Sequence, residues 1–277
     1  MARSFLFPGQ SGFVYKSRPM RTTWVALICV ALVGCGDDGG GGSSNIDAST
    51  GGGGSGSDAA QFLDAPPTET LEVTVSGVAT IQSLQGPMPA AGVTIEAFRN
   101  ADEATAIATT TTDAQGNYSI TIETNGESID GFLKASKTDL VSTYLYPPYP
   151  LTMDFANAAV VMVSADTYDT LCTATTANCA HGDGQGLIGL VVTDGTNPVA
   201  GATASSNPAS DTIRYNQMVG NQVLPLGTTS TYDDGIAYLL NLPAGQVTVS
   251  ATHPTMTFAS HAVKAWANEL TTTVVVP

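Results

Sequence analysis

The sequence predicts an all-β protein that consists of two small antiparallel β-sandwich domains in tandem. From residue 71 onward, short segments rich in valine and threonine alternate with turns rich in Gly, Pro, Asn and Asp, as strands and their connections do. The same pattern occurs twice along the chain, which indicates an internal duplication. No segment has a clear 3.6-residue hydrophobic period, and charged residues make up only 12% of the sequence.

The first 34 residues have the features of a signal peptide. Residues 24–34 (WVALICVALVG) are almost entirely apolar and follow Arg21. This run is shorter than the roughly 20 residues that a membrane-spanning helix needs, and it has the length of a signal-peptide core behind a basic segment. Translation from Met20 would give a compact basic segment, so we also consider Met20 as the start. Cys29 would leave with this peptide.

The last three residues of the apolar run and the cysteine that follows, Leu32-Val33-Gly34-Cys35, resemble the lipobox of bacterial lipoproteins. The resemblance implies cleavage before Cys35 and attachment of palmitate-type acyl chains to that cysteine. Two or more such chains hold a protein firmly on a membrane. The alternative is an ordinary secretory peptide with a chance cysteine. We therefore expect an exported, lipid-anchored protein of the bacterial cell envelope, on the outer membrane, with its periplasmic or surface side left open.

Residues 35–69 are predicted to be a flexible linker behind the lipidated cysteine. The segment contains two glycine runs, at 39–42 and 51–54, and is otherwise rich in Ser, Asp and Ala. A flexible chain of this length has an end-to-end distance of roughly 30 Å. The folded part would therefore lie a short distance from the membrane.

The first copy of the β pattern supplies the first predicted sandwich, residues 70–165. Strands are predicted in the segments LEVTVSGVATI and GVTIEAF, and again on both sides of the turn at residues 113–117. This turn contains Asp113 and Gly116 between two β-rich runs, which indicates a hairpin. Further strands are predicted at residues 131–135 and 158–163.

The second copy supplies the second predicted sandwich, residues 186–277. In both copies a glycine follows a strand, a proline-containing turn comes next, and an Asp/Gly turn precedes a strand that contains tyrosine. This doubled pattern resembles the carboxypeptidase regulatory-like domain, a transthyretin-like β-sandwich of secreted bacterial proteins. The resemblance implies a fold and no activity. The residues that carry it are Gly77, Pro89, Gly92, Asp113, Gly116 and Tyr118 in the first copy, and Gly189, Pro198, Gly201, Asp233 or Asp234, Gly235 and Tyr238 in the second.

The charge distribution excludes one large class of partners. All 24 acidic residues follow Cys35 and four of the nine basic residues precede it, so cleavage there would change the net charge from −15 to −19. A nucleic-acid-binding protein needs a basic face to neutralise phosphates. We therefore expect no nucleic acid among the partners.

A connector, residues 166–185, contains the two cysteines that remain after cleavage, Cys172 and Cys179. In an exported protein such a pair is expected to form a disulfide. With His181 the pair offers three potential zinc ligands, but Cys-x6-Cys-x-His is not a usual zinc spacing. Nearby aspartates could hold calcium, although the sequence lacks a calcium-loop motif; they are Asp166, Asp169 and Asp183. We predict neither a metal nor another cofactor.

The densest aromatic segment is the candidate ligand-binding patch. It contains Tyr144, Tyr146, Tyr149 and Phe155, interspersed with prolines. The rings could form a platform for a sugar or a partner, or they could pack over the end of a sandwich or against the second domain. No nucleophile elbow and no His-Glu-x-x-His motif is present, so we predict no enzyme. The expected function is a binding, adhesion or structural module with an envelope protein or polysaccharide as partner, and the alternative is a carbohydrate-binding accessory protein.

Overall fold

The computed structural model describes residues 72–83, 86–175, 177–220 and 222–277. The predicted signal peptide, Met20, Cys35 and the predicted linker lie outside the described residues. We call residues 72–163 the first half and residues 185–277 the second half.

All but one of the regular elements in the described residues are strands, which confirms the predicted all-β sandwich class. Its elements, in chain order, are β1 (Glu72–Ser83), β2 (Gly86–Pro89), β3 (Thr94–Arg99), β4 (Ala108–Thr111), β5 (Asn117–Glu123), β6 (Gly131–Ser136), β7 (Thr143–Tyr146), β8 (Val160–Met162), α1 (Ala165–Ala174), β9 (Gln185–Val192), β10 (Thr203–Asn207), β11 (Thr212–Val219), β12 (Gln222–Gly227), β13 (Ile236–Pro243), β14 (Gly245–Thr252), β15 (His261–Ala265) and β16 (Leu270–Val275). Within the described residues, no helix has the length and apolar character needed to cross a bilayer.

The strands form three sheets, of which the largest runs through both halves. In the first half, β1 pairs with β2, β5 and β8 to give a four-stranded sheet. In the second half, a three-stranded sheet has the order β10-β14-β15. The third sheet has nine strands in the order β12-β11-β13-β9-β16-β7-β6-β3-β4, so strands of the second half continue directly into strands of the first.

One face of the nine-stranded sheet is covered by different elements in the two halves. We call it face 1. In the first half, Leu133 and other face 1 residues pack against Val75 and Ile120 of the four-stranded sheet. In the second half, face 1 residues such as Leu187 pack against Leu171 of helix α1. Face 1 is therefore buried along most of the sheet.

The opposite face, face 2, is covered mainly in the second half. There Ile188 and Leu190 of the nine-stranded sheet form a core with Val249 and Val263 of the three-stranded sheet. Each half is thus a sandwich of two sheets. The smaller sheet packs on face 1 in the first half and on face 2 in the second half, where α1 covers face 1. Side-chain alternation along the strands explains how one sheet can serve both cores.

The internal duplication is visible in a buried threonine that forms the same two hydrogen bonds to an equivalent turn in each half. In the first half, the Thr112 hydroxyl donates to the carbonyl of Ala90 (2.5 Å) and accepts from the amide of Val93 (2.9 Å). Thr231 forms the equivalent bonds in the second half, to Val199 (2.7 Å) and from Ala202 (2.9 Å). Such buried hydroxyls need partners, and both copies provide the same ones.

The glycine and tyrosine positions of the repeat also coincide. Gly77 lies opposite Tyr118 in the pairing of β1 with β5, and Gly189 lies opposite Tyr238 in the pairing of β9 with β13. The two halves therefore place their repeat residues at equivalent positions of their sheets. Where the boundaries of independently folding domains lie stays a prediction.

The turn at residues 113–117 is not the predicted hairpin. β4 pairs only with β3 and β5 pairs only with β1, so the turn carries the chain from the nine-stranded sheet to the four-stranded sheet. The local chemistry is as expected, because the Asp113 carboxylate accepts from the amides of Gln115 (2.9 Å) and Asn117 (2.8 Å). The turn residues define a tight reversal, but they do not define which sheet the next strand joins.

The predicted connector is partly helical, which the sequence interpretation missed. Ser164 caps helix α1 by accepting from the amide of Thr167 at 3.1 Å. The helix buries three residues spaced as one helical face, Tyr168, Leu171 and Cys172. A ten-residue helix shows this pattern only once, which is too little for a clear period.

Candidate functional site: the seam between the halves

The two halves meet along strand β16, the last strand of the chain. β16 runs parallel to β7 on one side and parallel to β9 on the other, with Thr272 opposite both Leu145 and Gly189. All six of its residues are buried. We call the pairing of β16 with β7, together with the side chains that close over it, the seam.

Threonine hydroxyls reinforce this pairing from within β16. Thr272 donates to the carbonyl of Tyr144 (3.4 Å) and Thr273 donates to the carbonyl of Tyr146 (3.2 Å). The Thr273 oxygen also lies 2.8 Å from Nδ1 of His261. Since the Thr273 proton goes to the Tyr146 carbonyl, His261 donates from Nδ1, and one hydrogen-bonded chain links β15, β16 and β7.

An aromatic cluster covers face 2 of the sheet beside these bonds. Phe132 lies at its centre, with ring centroids of Phe98 and Tyr146 at 5.3 and 5.0 Å. Tyr144 stacks on Trp266 of the second half, with centroids 4.2 Å apart and ring planes 8° apart. Rings of both halves are therefore packed together, and such pairs add to the free energy gained by burial.

An ion pair closes the outer side of the cluster. Lys264 of β15 pairs with Glu103, which lies in the loop after β3. The Lys264 ammonium also lies 3.8 Å from the centroid of the Trp266 ring, in cation–π geometry. Trp266 is thus enclosed between Tyr144 on one face and Lys264 on the other.

The structure does not form the candidate ligand-binding patch as a single surface. Tyr144 and Tyr146 are only 6% and 3% exposed because they belong to the seam. Phe155 is partly buried and forms an isolated bridge with Val75. Of the four rings, only that of Tyr149 is well exposed, at 54%. For Tyr144 and Tyr146, the structure therefore agrees with the alternative in which the rings pack against the second half.

Hydrogen bonds hold the segment around Tyr149 to both halves of the molecule. Leu151 pairs with Ile129, and the Phe155 amide donates to the carbonyl of Thr74 at 2.9 Å. The Tyr149 hydroxyl donates to the Pro277 carbonyl at 3.1 Å. Tyr149 is consequently an outward-facing ring whose hydroxyl is held by a hydrogen bond.

The predicted disulfide is present. Cys172 at the end of α1 is bonded to Cys179, and the Asp169 carboxylate accepts from the amide of His181 at 2.6 Å. The His181 ring packs edge-on against Tyr168. Both cysteines are therefore committed to each other, and neither is available with His181 as a metal ligand.

The three aspartates considered for calcium do not converge. Asp169 and Asp183 each accept backbone amides, from His181 (2.6 Å) and from Gln185 (2.8 Å) respectively. Asp166 lies in the first turn of α1. No group of three or more His, Cys, Asp or Glu side chains in the described ranges has a metal-binding arrangement.

A small apolar cavity lies at the end of the first sandwich, next to the seam. It has a volume of about 20 Å³ and is lined by apolar residues that include Phe132, Leu145 and Phe155. Sites for small organic ligands have volumes of about 300–1,000 Å³. The cavity is therefore a packing gap and not a ligand site.

Two ionisable groups flank the seam and respond differently to burial. Burial raises the pKa of the Glu269 carboxyl above its ordinary value, against the opposing effects of hydrogen bonds from Ser142 and the charges of His181 and Lys134. Its Oε2 atom is buried and has no hydrogen-bond partner among the described residues. Burial lowers the pKa of His261, so this ring stays neutral around pH 7.

The Glu269 carboxyl leads to a testable pH dependence. The pKa of Glu269 is higher in the folded protein than in the unfolded chain. The free energy of unfolding is therefore highest below the pKa of the unfolded chain, where the carboxyl is protonated in both states. It falls as the pH rises through the pKa of the folded protein, because a buried carboxylate must then form. We expect Glu269→Gln to increase the free energy of unfolding at pH 7, with the difference vanishing below about pH 4. Urea denaturation at both pH values measures it, with exposed Glu127→Gln as the control. Equal stability of the variant and the parent at pH 7 would contradict the expectation.

The disulfide leads to a second prediction. A disulfide between residues seven positions apart lowers the conformational entropy of the unfolded chain, which stabilises the folded protein by about 2–3 kcal/mol. We expect the Cys172→Ala/Cys179→Ala variant to lose this amount in urea denaturation. The parent protein with a reducing agent should show a similar loss. A loss far below 1 kcal/mol in both would mean that α1 is held by packing alone.

Sequence reasoning missed the residues of the second half that complete the seam. Nothing in the sequence around Lys264 or Glu103 indicates that these two side chains form an ion pair. They are far apart in sequence, and only the position of β16 beside β7 brings them together. The run of threonine and valine at residues 271–276 was the available indication, because a continuous β-prone run is typical of a strand buried on both faces.

No protein-family model matches the chain, and no curated protein matches it. Among solved structures, the Bacillus anthracis TIE protein aligns at 11% identity over 74% of this chain and 34% of its own, with a TM-score of 0.24. The shaft pilin SpaA of Lactobacillus rhamnosus GG aligns at 12% identity over 75% of this chain and 98% of its own, with a TM-score of 0.24.

A third solved structure, the major pilin subunit BcpA of Bacillus cereus, aligns at 10% identity over 74% of this chain and 99% of its own, with a TM-score of 0.25. This chain spans only about a third of the Bacillus anthracis protein. The superpositions are too loose to carry an argument about function. The class defined by the residues themselves is an all-β protein of two sandwiches fused through a shared sheet.

Proposed function

We propose that this chain is a lipid-anchored, non-catalytic module of the bacterial cell envelope, with a structural or adhesive role. The anchor is Cys35, behind the lipobox-like Leu32-Val33-Gly34. The linker at residues 35–69 provides reach, and the fused sandwiches form the part that acts at a distance from the membrane. The partner we propose is another protein or a polysaccharide of the envelope.

The observation that carries the structural part is the seam. A flexible pair of domains joined by a linker would expose two separate surfaces that move independently. Here one strand completes the sheet of both halves, and stacked rings and an ion pair close over it. A unit built in this way keeps its surfaces at a fixed spacing, which suits a spacer or a presenting arm.

Lipid labelling tests the anchor. We expect the full chain, expressed in a bacterium, to incorporate labelled palmitate and to fractionate with membranes. Cys35→Ala should abolish both, whereas Cys29→Ala should abolish neither because Cys29 lies in the part that is removed. Incorporation of label into the Cys35→Ala variant would refute lipidation at this residue.

Tyr149 supports carbohydrate binding as a second candidate function. A rigid, exposed tyrosine can stack against the apolar face of a sugar ring. The test is glycan binding by residues 35–277, compared with Tyr149→Ala and with the control Tyr232→Ala. Loss of binding only in Tyr149→Ala would support the candidate, and absence of binding to all glycans would remove it.

A further inference from the structure

The outer strands of the described sheets differ in how well they are protected against pairing with another chain. An edge strand presents unpaired backbone amides and carbonyls, and folded proteins protect such edges with proline, charge, shortness or side-chain bonds. In this chain β2 contains Pro87 and Pro89, and β12 contains Pro225. β4 has only four residues.

Three other outer strands are protected by side chains of neighbouring elements. The Ala204 amide of β10 donates to the Tyr215 hydroxyl at 3.0 Å. The Lys264 carbonyl of β15 accepts from Thr271 at 2.7 Å. β8 has three residues, and its Val161 carbonyl accepts from Thr143 at 2.8 Å. Each of these strands therefore has part of its backbone already engaged.

Strand β5 lacks these devices. It has seven residues, pairs only with β1, and contains neither proline nor a bulge in that pairing. At the turn, the Asn117 amide of β5 donates to the Asp113 carboxylate. Apart from this bond, no side chain of the described residues forms a hydrogen bond with the backbone of β5. Its outward-facing side chains are exposed and carry a single charge; they are Asn117, Ser119, Thr121 and Glu123.

We propose that β5 is a docking edge for β5 of a second copy of this chain, related by a two-fold axis. Antiparallel pairing over the full strand places Ile120 opposite Ile120, Ser119 opposite Thr121, and Glu123 opposite Asn117. No like charges meet in this register. Two copies repel one another over most surfaces, because the net charge of each is −15 for the whole chain and −19 from residue 35 onward. This nearly uncharged edge is where they can approach.

When β5 of a second copy pairs with β5, the four-stranded sheets of the two copies join into one sheet of eight strands. The pairing uses backbone bonds and small hydroxyl side chains, so it is weak in dilute solution and strengthens where copies are concentrated. This inference does not depend on the lipid anchor, because it concerns the folded residues alone.

Sedimentation across a range of concentrations tests the proposal, using residues 35–277 with Cys35→Ser to remove the free thiol. We expect a monomer–dimer equilibrium. The Ser119→Lys/Thr121→Lys variant places lysines directly opposite each other in two pairs and should raise the dissociation constant roughly tenfold. The control Thr74→Lys/Ser76→Lys puts the same charges at the paired positions of β1, away from the edge, and should leave it unchanged.

Cysteine cross-linking tests the register. A mixture of Ser119→Cys and Thr121→Cys chains should form a disulfide-linked heterodimer, because these positions lie opposite each other. Either variant alone should cross-link poorly, since its cysteines would lie on the diagonal. A chain that stays monomeric at all concentrations, or a dimer that both lysine variants leave intact, would overturn the proposal.

Discussion

Thr272→Pro is expected to unfold both halves of the molecule together. Thr272 lies in the middle of β16 and pairs with Leu145 of the first half and Gly189 of the second. Proline removes a backbone donor and forces its ring into a strand that has neighbours on both sides. Such backbone effects are among the few mechanisms by which one substitution costs about 4 kcal/mol or more. That loss is a large part of the 5–15 kcal/mol that typically stabilises a folded protein.

Hydrogen exchange resolved by mass spectrometry measures this effect in each half separately. We expect β5 in the first half and β13 in the second to lose protection to the same extent. Thr272→Val is the matched control, since it keeps the shape and the backbone donor and removes only the long hydroxyl bond to Tyr144. If β5 remains protected in Thr272→Pro while β13 does not, the halves are independent and the seam does not couple them.

The sequence was sufficient to predict the strands and the duplication, because both depend on local chemistry. The valine- and threonine-rich segments define β1, β3, β5 and β9, and the turn glycines lie where the repeat places them. Gly116 has a φ of +81° and Gly235 a φ of +67°, which are values that glycine adopts without strain. Neighbouring residues alone determine such features.

The order of strands across the sheets could not be predicted in the same way. β16 is inserted between β7 and β9, although about 127 residues separate Thr273 from Tyr146. Nothing within either segment specifies that partner, because the pairing is decided by which apolar faces remain uncovered after each half has formed. The aromatic cluster follows from this pairing, which explains why Tyr144 and Tyr146 looked like an exposed patch in sequence.

The disulfide could be predicted from the sequence, but the helix that carries one of its cysteines could not. Two cysteines seven residues apart in an exported chain suffice to predict a bond between them. They do not reveal that the first of them lies on a helix whose buried side faces Leu187 and Val274. Tertiary packing, more than helical propensity, stabilises so short an element.

Gly77→Ala is expected to destabilise the first half severely. Gly77 lies in β1, between β5 and the segment that leads into β8. A Cβ at this position would collide with the backbone carbonyl of Ala158. That carbonyl also accepts from the buried Tyr118 hydroxyl at 2.5 Å. The added methyl group must therefore displace a backbone segment and break a buried hydrogen bond, and the combined cost is about 4 kcal/mol or more.

Thermal and urea denaturation measure this loss, with Ser76→Ala as the matched control on the same strand. Ser76 faces outward, so its replacement by alanine should change the free energy of unfolding by less than about 0.5 kcal/mol. The contrast separates the steric effect at Gly77 from any general effect on β1. Because the seam joins the halves, Gly77→Ala should also lower the protection of β13 in hydrogen exchange. Retention of full protection there would show that a defect in the first sandwich stays local, which is the opposite of what a shared nine-stranded sheet requires.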